Sequence, residues 1–428
     1  MTMLPLSSLA LAGSTFLLAF APHASELKLK ENDHKNLGKL VAAYFTATEE
    51  KKGIHEALQK VLDQVEATDK RLKKETILAS VGDWEQVFRL VAETRLKASL
   101  KKKGEVTPAK VKSDIGIDLS LAYCTPKKPV KGALPLILVA CDGGEAPADH
   151  LNKYWADPAL REAAFLVALD MGKDTASWGV FGTKEAPGGV FTVMAALGSM
   201  LKEFPVDANR TFLVGSGKGF AAVETTAASF PQTFAGLIGL GEVAANDLGS
   251  YENFRNLPTL FPRECDGTTA IKSKIDELGY ANCTISATGA EGETKVEGAP
   301  AQTWEWIGKN VRSAYPLQLT FAPKSDFARA AHWISLSGIQ VSEAPKLEAK
   351  ADRAENTITI DADKVANMVV YLNDELVDMA KPVRFVINGK TFERTVERSA
   401  PEMIKNQYSV GDWGRVFTAA VIQDVPAK

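Results

Sequence analysis

Five short apolar runs in the middle of the chain constrain its fold more than any other feature. In chain order they are LPLILVAC, AAFLVALDM, RTFLVG, FAGLIGLG and LPTLF. Segments with helical character, such as GGVFTVMAALGSMLKEF, separate them. Strands that are apolar along their whole length and alternate with helices are typical of a parallel sheet covered on both faces. The sequence therefore predicts an α/β domain, which we place at residues 113–325.

Residues 25–112 have a different pattern, and we predict a helical region there. Ile54, Leu58, Val61 and Val65 recur at the spacing of one buried helix face. The same spacing indicates a second helix after Asp83, whose side chain is a candidate N-cap. The lysine-rich segment KASLKKKGEVTPAKVKS at the end of this region is expected to be an exposed connector.

Residues 326–428 change pattern again, to an alternation of period two. It runs through NTITIDADKVANMVVYLNDELVD, KPVRFVINGKTFERTV and GRVFTAAVIQDV. Asn388-Gly389 stands between two such runs, and this dipeptide is the strongest short-range signal for a β-hairpin. We predict a small β-sandwich. A chain of 428 residues, 45% of them hydrophobic, is long enough to bury more than one core.

The first 24 residues have the length and apolar character of a secretory signal peptide. Small residues at Ala19, Ala21 and Ala24 suit cleavage, although no Lys or Arg precedes the apolar run. A membrane anchor is the alternative, but Pro5 and Gly13 make a weak spanning helix. We therefore predict an exported protein of the periplasm or cell envelope, without a membrane span once the signal is removed.

Composition restricts the partners of this chain. A formal net charge of −3 gives no reason to expect nucleic acid. Four cysteines lack metal-site spacing, and we expect buried free thiols: Cys124, Cys141, Cys265 and Cys283. No cofactor or metal is predicted. The expected partner is an unknown small molecule or peptide, or a protein of the envelope.

The segment RTFLVGSGKG, from Arg210 to Gly219, carries the main functional signal, and three interpretations compete. A phosphate-binding Walker A loop needs glycine where Phe212 stands and Ser or Thr after Lys218. A dinucleotide fingerprint needs GxGxxG at the first strand of the sheet, whereas this turn is GxGxG and comes late. A nucleophile elbow, G-x-S-x-G, fits the flanking glycines and the strand-to-helix context.

With VDANR before this turn and AASFPQTFAGLIGLGE after it, the chain resembles the secreted bacterial α/β-hydrolases of the esterase and prolyl-oligopeptidase-like group, common in planctomycetes. The resemblance runs from about Gly132 to Arg312 and continues into the C-terminal region. It implies an α/β-hydrolase-like parallel sheet domain followed by a β-domain. It also implies a catalytic triad of nucleophile, acid and histidine.

That triad does not carry over to this sequence. The position of the nucleophile is Gly217, which has no side chain, and Asp266 matches the acid. No histidine stands between His150 and His332, although the family places one in the segment that here is SATGAEGETKVEGAP. Asp142 stands where the family often has a histidine after the first parallel strand. Because two of the three groups are missing, the sequence predicts a pseudoenzyme.

Several residues are weaker candidates for a displaced catalytic group. Ser216 precedes the apex and is expected to point away from the site. His150 is expected in a surface loop and His332 in an alternating strand, and packing is the favoured role of Cys141 and Cys265.

Backbone donors of an oxyanion hole are expected to persist at Lys218 and at Gly143 or Gly144. They would let the site bind a carboxylate or an ester without cleaving it.

Overall fold

The computed structural model describes residues 27–73, 75–101, 104–128, 132–286 and 301–428. The predicted signal peptide at residues 1–24 lies outside the described residues. Among the described helices, none has the length and apolar character needed to cross a membrane.

Three helices form the N-terminal region: α1 (Glu31–Glu50), α2 (Ile54–Leu72) and α3 (Val81–Thr94). Val61 and Val65 are buried on α2 as the spacing predicts, whereas Ile54 at its start is 37% exposed. Asp83 is not the N-cap of α3, because that helix begins two residues earlier. Its buried carboxylate instead accepts hydrogen bonds from the backbone N–H groups of Lys28 and Leu29, which ties the incoming chain to α3.

The central sheet has eight strands in the described part of the chain, in the order β1-β2-β4-β3-β5-β6-β7-β8. They are β1 (Thr107–Lys112), β2 (Asp118–Cys124), β3 (Leu134–Ala140), β4 (Phe165–Leu169), β5 (Val206–Ser216), β6 (Gly236–Leu240), β7 (Thr259–Phe261) and β8 (Cys283–Ile285). The strand β2 is antiparallel to both of its neighbours, and β3 to β8 are mutually parallel. Among the described residues, five α-helices connect strands of this sheet: α4 (Pro147–Tyr154), α5 (Pro158–Ala163), α6 (Gly189–Glu203), α7 (Phe220–Ser229) and α8 (Asp266–Glu277). A further helix, α9 (Ala301–Lys309), comes after β8 and precedes the sandwich.

Both faces of this sheet are buried at its centre, which explains why β3, β4 and β6 are apolar throughout. Leu136 and Leu138 of β3 pack into the core on one face, and Ile137 and Val139 pack into a separate core on the other. The strand order and this double burial are those of an α/β-hydrolase fold, so the predicted fold class is confirmed.

Two strands fall outside the ranges predicted for their domains. The segment Thr107–Lys112, assigned to an exposed connector, is the strand β1 at the edge of the sheet. Its residues alternate between exposed and half-buried, which is why its lysines are compatible with a strand. Likewise, Gln318–Phe321 precedes the predicted boundary at 326 but pairs with a strand of the C-terminal sandwich.

The C-terminal region is a sandwich of a four-stranded and a five-stranded sheet in the described residues. Its strands are β9 (Gln318–Phe321), β10 (Ala330–Ala331), β11 (Ile334–Ser337), β12 (Lys346–Asp352), β13 (Thr357–Asp363), β14 (Asn367–Leu372), β15 (Val383–Ile387), β16 (Lys390–Arg394) and β17 (Ala419–Asp424). Asn388 and Gly389 connect β15 to β16 with φ values of 47° and 77°, as the hairpin prediction requires. A helix that the alternation did not predict, α10 (Ala400–Val410), precedes the last strand.

The three regions are joined by buried contacts. Met403 and Ile404 of α10 complete the core of the N-terminal helices. The guanidinium of Arg312 donates two hydrogen bonds of 2.8 Å to the carboxylate of Asp412 and reaches Asn209 at the start of β5. The sheet domain and the sandwich therefore share one buried ion pair.

Candidate functional site at the nucleophile elbow

The turn after β5 has the geometry of a nucleophile elbow. The strand ends at Ser216, the next three residues form one turn of 3₁₀-helix, and α7 begins at Phe220. Gly217 stands at the apex with φ of +51°, in the left-handed region that favours glycine. The structure thus places Gly217 where the sequence predicted it.

The flanking glycines are required by close packing. A Cβ atom on Gly215 would lie 2.4 Å from Cα of Phe220. One on Gly219 would lie 2.3 Å from the carbonyl oxygen of Ala140 in β3. These contacts account for the glycine-rich turn without a bound phosphate.

The carboxylate of Asp142 lies against the apex. A Cβ atom on Gly217 would be 2.6 Å from Oδ2 of Asp142 and 2.8 Å from its Cγ. Oδ1 accepts hydrogen bonds from the backbone N–H of Lys218, at 3.1 Å, and of Gly143, at 2.8 Å. The aspartate therefore takes up space that a nucleophile's side chain would need, and it engages two of the expected oxyanion donors.

The remaining expected donor, Gly144, is exposed and has φ of +80°. An external anion at this turn would have to displace a negatively charged side chain that is already hydrogen-bonded there. The same carboxylate disfavours a nucleotide phosphate, for the same reason.

Asp266 is the first residue of α8, which follows the carboxyl end of β7. Because β5 and β7 run parallel in one sheet, Asp266 lies at the same sheet edge as Gly217. It is exposed. Most of the segment expected to carry a histidine, residues 287–300, lies outside the described residues, and its sequence contains none.

Ser216 supplies no activated hydroxyl. Ser216 is 8% exposed, and its Oγ forms no hydrogen bond within the described residues. A serine nucleophile needs a hydrogen-bonded base to remove its proton. Within the part of the chain that the structure describes, Ser216 has no such base.

His150 differs from its expected place in a surface loop. It lies in α4 and is completely buried, because the segment from Pro147 forms a helix whose inner face packs on the sheet. Its Nδ1 is 2.8 Å from Oε2 of Glu145, and Nε1 of Trp155 donates to its Nε2 at 3.4 Å. Both ring nitrogens are engaged, so the ring is not available as a base for the elbow.

Cys141, Glu145 and His150 bring a sulfur, an oxygen and a nitrogen within 4.8 Å of one another, a set that metal ions use. The hydrogen bonds oppose this role. Indole is only a donor, so Nε2 of His150 accepts from Trp155 and the proton of the neutral ring lies on Nδ1, facing Glu145. Neither nitrogen then has a lone pair for a metal, and burial raises the pKa of the Cys141 thiol well above its ordinary value.

The other weak candidates are accounted for by their surroundings. His332 lies in the turn between β10 and β11 rather than in a strand, and burial lowers its pKa to about 3. Burial opposes ionisation of Cys265, but hydrogen bonding at the start of α8, to the backbone of Thr268 first, outweighs it and lowers the thiol pKa.

All four cysteines are free, as expected. Only Cys124 and Cys141 are fully buried, so the expected burial fails for the other two. Cys265, which immediately precedes α8, and Cys283, the first residue of the edge strand β8, are partly exposed.

The chain shares its fold with solved hydrolases. Over 49% of this chain and 64% of the other, it is similar to a thermostable esterase (17% identity, TM-score 0.40). It is similar to the acylaminoacyl peptidase of Pyrococcus horikoshii over 44% of this chain and 38% of that one (12% identity, TM-score 0.34). It is also similar to the S-formylglutathione hydrolase of Staphylococcus aureus over 49% of this chain and 97% of that one (9% identity, TM-score 0.34).

The matched region spans less than two thirds of the first two of these proteins. No protein-family model and no curated protein matches the chain. The strand order and the elbow geometry define the class of protein to which the chain belongs, that of the α/β-hydrolase fold.

Proposed function

We propose that this chain does not hydrolyse esters or peptides and acts as an exported binding or scaffold protein. The observation that carries the proposal is the carboxylate of Asp142, which lies against the glycine apex and is hydrogen-bonded to Lys218 and Gly143. Export rests on the signal-like residues 1–24. Protein recovered from the envelope with residues 1–20 intact would contradict cleavage of the signal and favour a membrane anchor, and recovery from the cytoplasm alone would contradict export.

Hydrolysis on this fold needs a nucleophile, a base and an oxyanion hole, and each of the three is compromised in this chain. Gly217 offers no nucleophile, and no histidine occurs from Leu151 to Ala331 to act as base. The loss of nucleophile or base costs on the order of 10⁶ in turnover in subtilisin. The loss of one oxyanion donor costs about 10²–10³ there. Engagement of the donors by Asp142 adds to the first loss, because a developing oxyanion would meet a charge of its own sign.

The alternative is an active esterase or peptidase with a displaced catalytic group, for which Ser216 is the nearest hydroxyl. The test treats the purified protein with a serine-directed fluorophosphonate probe and with short-chain aryl esters. We expect no stoichiometric labelling and turnover far below about 1 s⁻¹, the lower end of ordinary enzymes. Asp142→Ala, which removes the internal carboxylate, should not create activity, because nucleophile and base are still missing.

Labelling or turnover above that rate that Ser216→Ala abolishes would overturn the proposal and establish the alternative. Ser229→Ala is the matched control, because Ser229 is a buried serine at the far end of α7.

A further inference from the structure

A cavity of about 1000 Å³ lies on the opposite edge of the central sheet from the elbow. It is lined by residues that precede β3, by the first residues of β5, by one face of α3 and by the segment 311–317 that leads into the sandwich. Residues 211–216 of β5, roughly 20 Å of strand, separate its lining from Gly217. Its volume is at the upper end of the range found for small-molecule sites.

The arginines of the cavity lining are already paired. Arg89 contacts Glu93 at 2.6 Å, and Arg210 contacts Asp207 at 2.9 Å. The third, Arg312, forms its two hydrogen bonds with Asp412. Each of these positive charges therefore has a carboxylate, and two of those carboxylates, Glu93 and Asp207, belong to the lining themselves.

Two further carboxylates of the lining have no such partner. Glu85 on α3 accepts a hydrogen bond of 2.8 Å from the hydroxyl of Tyr315, and no described cation forms a salt bridge with it. The carboxylate of Glu375, from the sandwich, forms no salt bridge and accepts no hydrogen bond within the described residues. The cavity therefore holds more negative charge than its own arginines neutralise.

The behaviour of Glu85 agrees with this imbalance. Burial raises its pKa to about 7, and the carboxylates of Glu375 and Asp412 act in the same direction. The hydrogen bond from Tyr315 and the charge of Arg312 oppose the rise without cancelling it. A positive charge placed in the cavity would offset the cost of ionising Glu85 there.

Aromatic rings complete the lining. Tyr315 and the half-buried Trp413 both border the cavity. The faces of such rings attract cations. Carboxylates together with aromatic faces are the chemistry that selects ammonium and guanidinium groups.

We propose that this cavity binds a small organic cation whose ammonium or guanidinium group is held by Glu85 and Glu375 beside Trp413. The inference deepens the binding role proposed above and rests on that role. The hydrolysis assays concern the other edge of the sheet, so the two proposals fail on different measurements.

The test is isothermal titration calorimetry of the full chain at low ionic strength with spermidine and with agmatine. Glutarate is the anionic control. We expect binding of at least one cation below 1 mM and none of glutarate. Glu85→Gln and Glu375→Gln should each weaken cation binding at least tenfold. Glu264→Gln, an exposed carboxylate on the elbow edge, is the matched control and should leave binding unchanged.

The pH profile separates specific binding from general attraction to an acidic surface. If the cation selects ionised Glu85, the apparent affinity should rise about tenfold from pH 6 to pH 8, as the ionised fraction of a group with a pKa of about 7 does. Glu85→Gln should abolish that rise in affinity with pH. Glu375→Gln, which changes another half-buried glutamate, should leave the rise in place. No binding at 5 mM of either cation, equal losses in Glu264→Gln and Glu85→Gln, or equal binding of glutarate would overturn the proposal.

Discussion

The two edges of the central sheet treat negative charge in opposite ways. At the carboxyl edge, Asp142 receives two backbone N–H groups and lies against Gly217, so its charge is stabilised within the protein. At the amino edge, Glu85 and Glu375 border an open cavity and form no salt bridge with any cation in the described part of the chain. The comparison teaches that the customary site of a fold can be occupied by the chain's own side chain while a different surface keeps the capacity to bind.

The largest expected difference follows from removing one carboxylate at each edge. Asp412→Ala leaves the buried guanidiniums of Arg312 and Arg415 without their anion, and breaking such a pair costs about 3–5 kcal/mol of unfolding free energy. Asp142→Ala exposes two N–H groups that water can reach, so we expect a loss of about 1 kcal/mol or less. Urea unfolding at pH 7 measures both. Equal losses would show that Asp142 is as structural as Asp412.

A second contrast concerns two glutamates whose pKa burial raises to about 7, the half-buried Glu85 and the fully buried Glu224 of α7. The folded state holds the extra proton, so stability falls as pH rises from about 4.5 through 7 and is level above. A shift of that size corresponds to about 3 kcal/mol per group. Glu85→Gln and Glu224→Gln should each flatten the profile, measured by urea unfolding at pH 5 and pH 8.

The same measurement distinguishes the two environments. Glu224 is enclosed by the hydroxyl of Tyr251 and the amide of Asn246. A bound cation should therefore reduce the pH slope that depends on Glu85 and leave the Glu224 slope as it was. If added spermidine altered both slopes equally, the contrast between a closed and an open site would fail.

A smaller effect tests the contact between Asp142 and the apex. Gly217→Ala adds a Cβ atom both in a left-handed conformation and against the carboxylate, for an expected loss of about 2 kcal/mol. In the Asp142→Ala background only the conformational strain remains, about 1 kcal/mol. Gly144→Ala is the matched control, because φ is +80° there and no neighbouring atom lies within 4 Å of the added Cβ. Additive losses at Gly217 would contradict the contact.

The fold was largely predictable because the central parallel strands β3, β4 and β6 are buried on both faces and so are apolar along their length. The failures occur where that signal is weak. The edge strand β1 is half-exposed and carries lysines. The helix α10 interrupts a region that we predicted to consist of strands because its apolar and polar residues alternate. The apex position of Gly217 was predictable because an elbow imposes its glycines locally.

The position of the Asp142 carboxylate could not be predicted, since it depends on how the loop after β3 turns back. The cation cavity was also missed. Glu85, Tyr315 and Glu375 come from three regions that are far apart in the sequence, and none stands in a recognisable motif. The one available signal was the presence of acidic residues within otherwise amphipathic or alternating segments, which is common on any solvated face.

The ion pair of Arg312 has a consequence for how the chain acquires its structure. Arg312 contacts Asp412, which is 100 positions away in the sequence, and Asn209, which is 103 positions away. Closing loops of that length carries an entropic cost before any contact compensates it. We therefore expect the contact to form late in folding, after the sheet and the sandwich are each assembled. Because Arg312 is buried only when both are docked, the two domains depend on one another and should lose their structure in a single cooperative step.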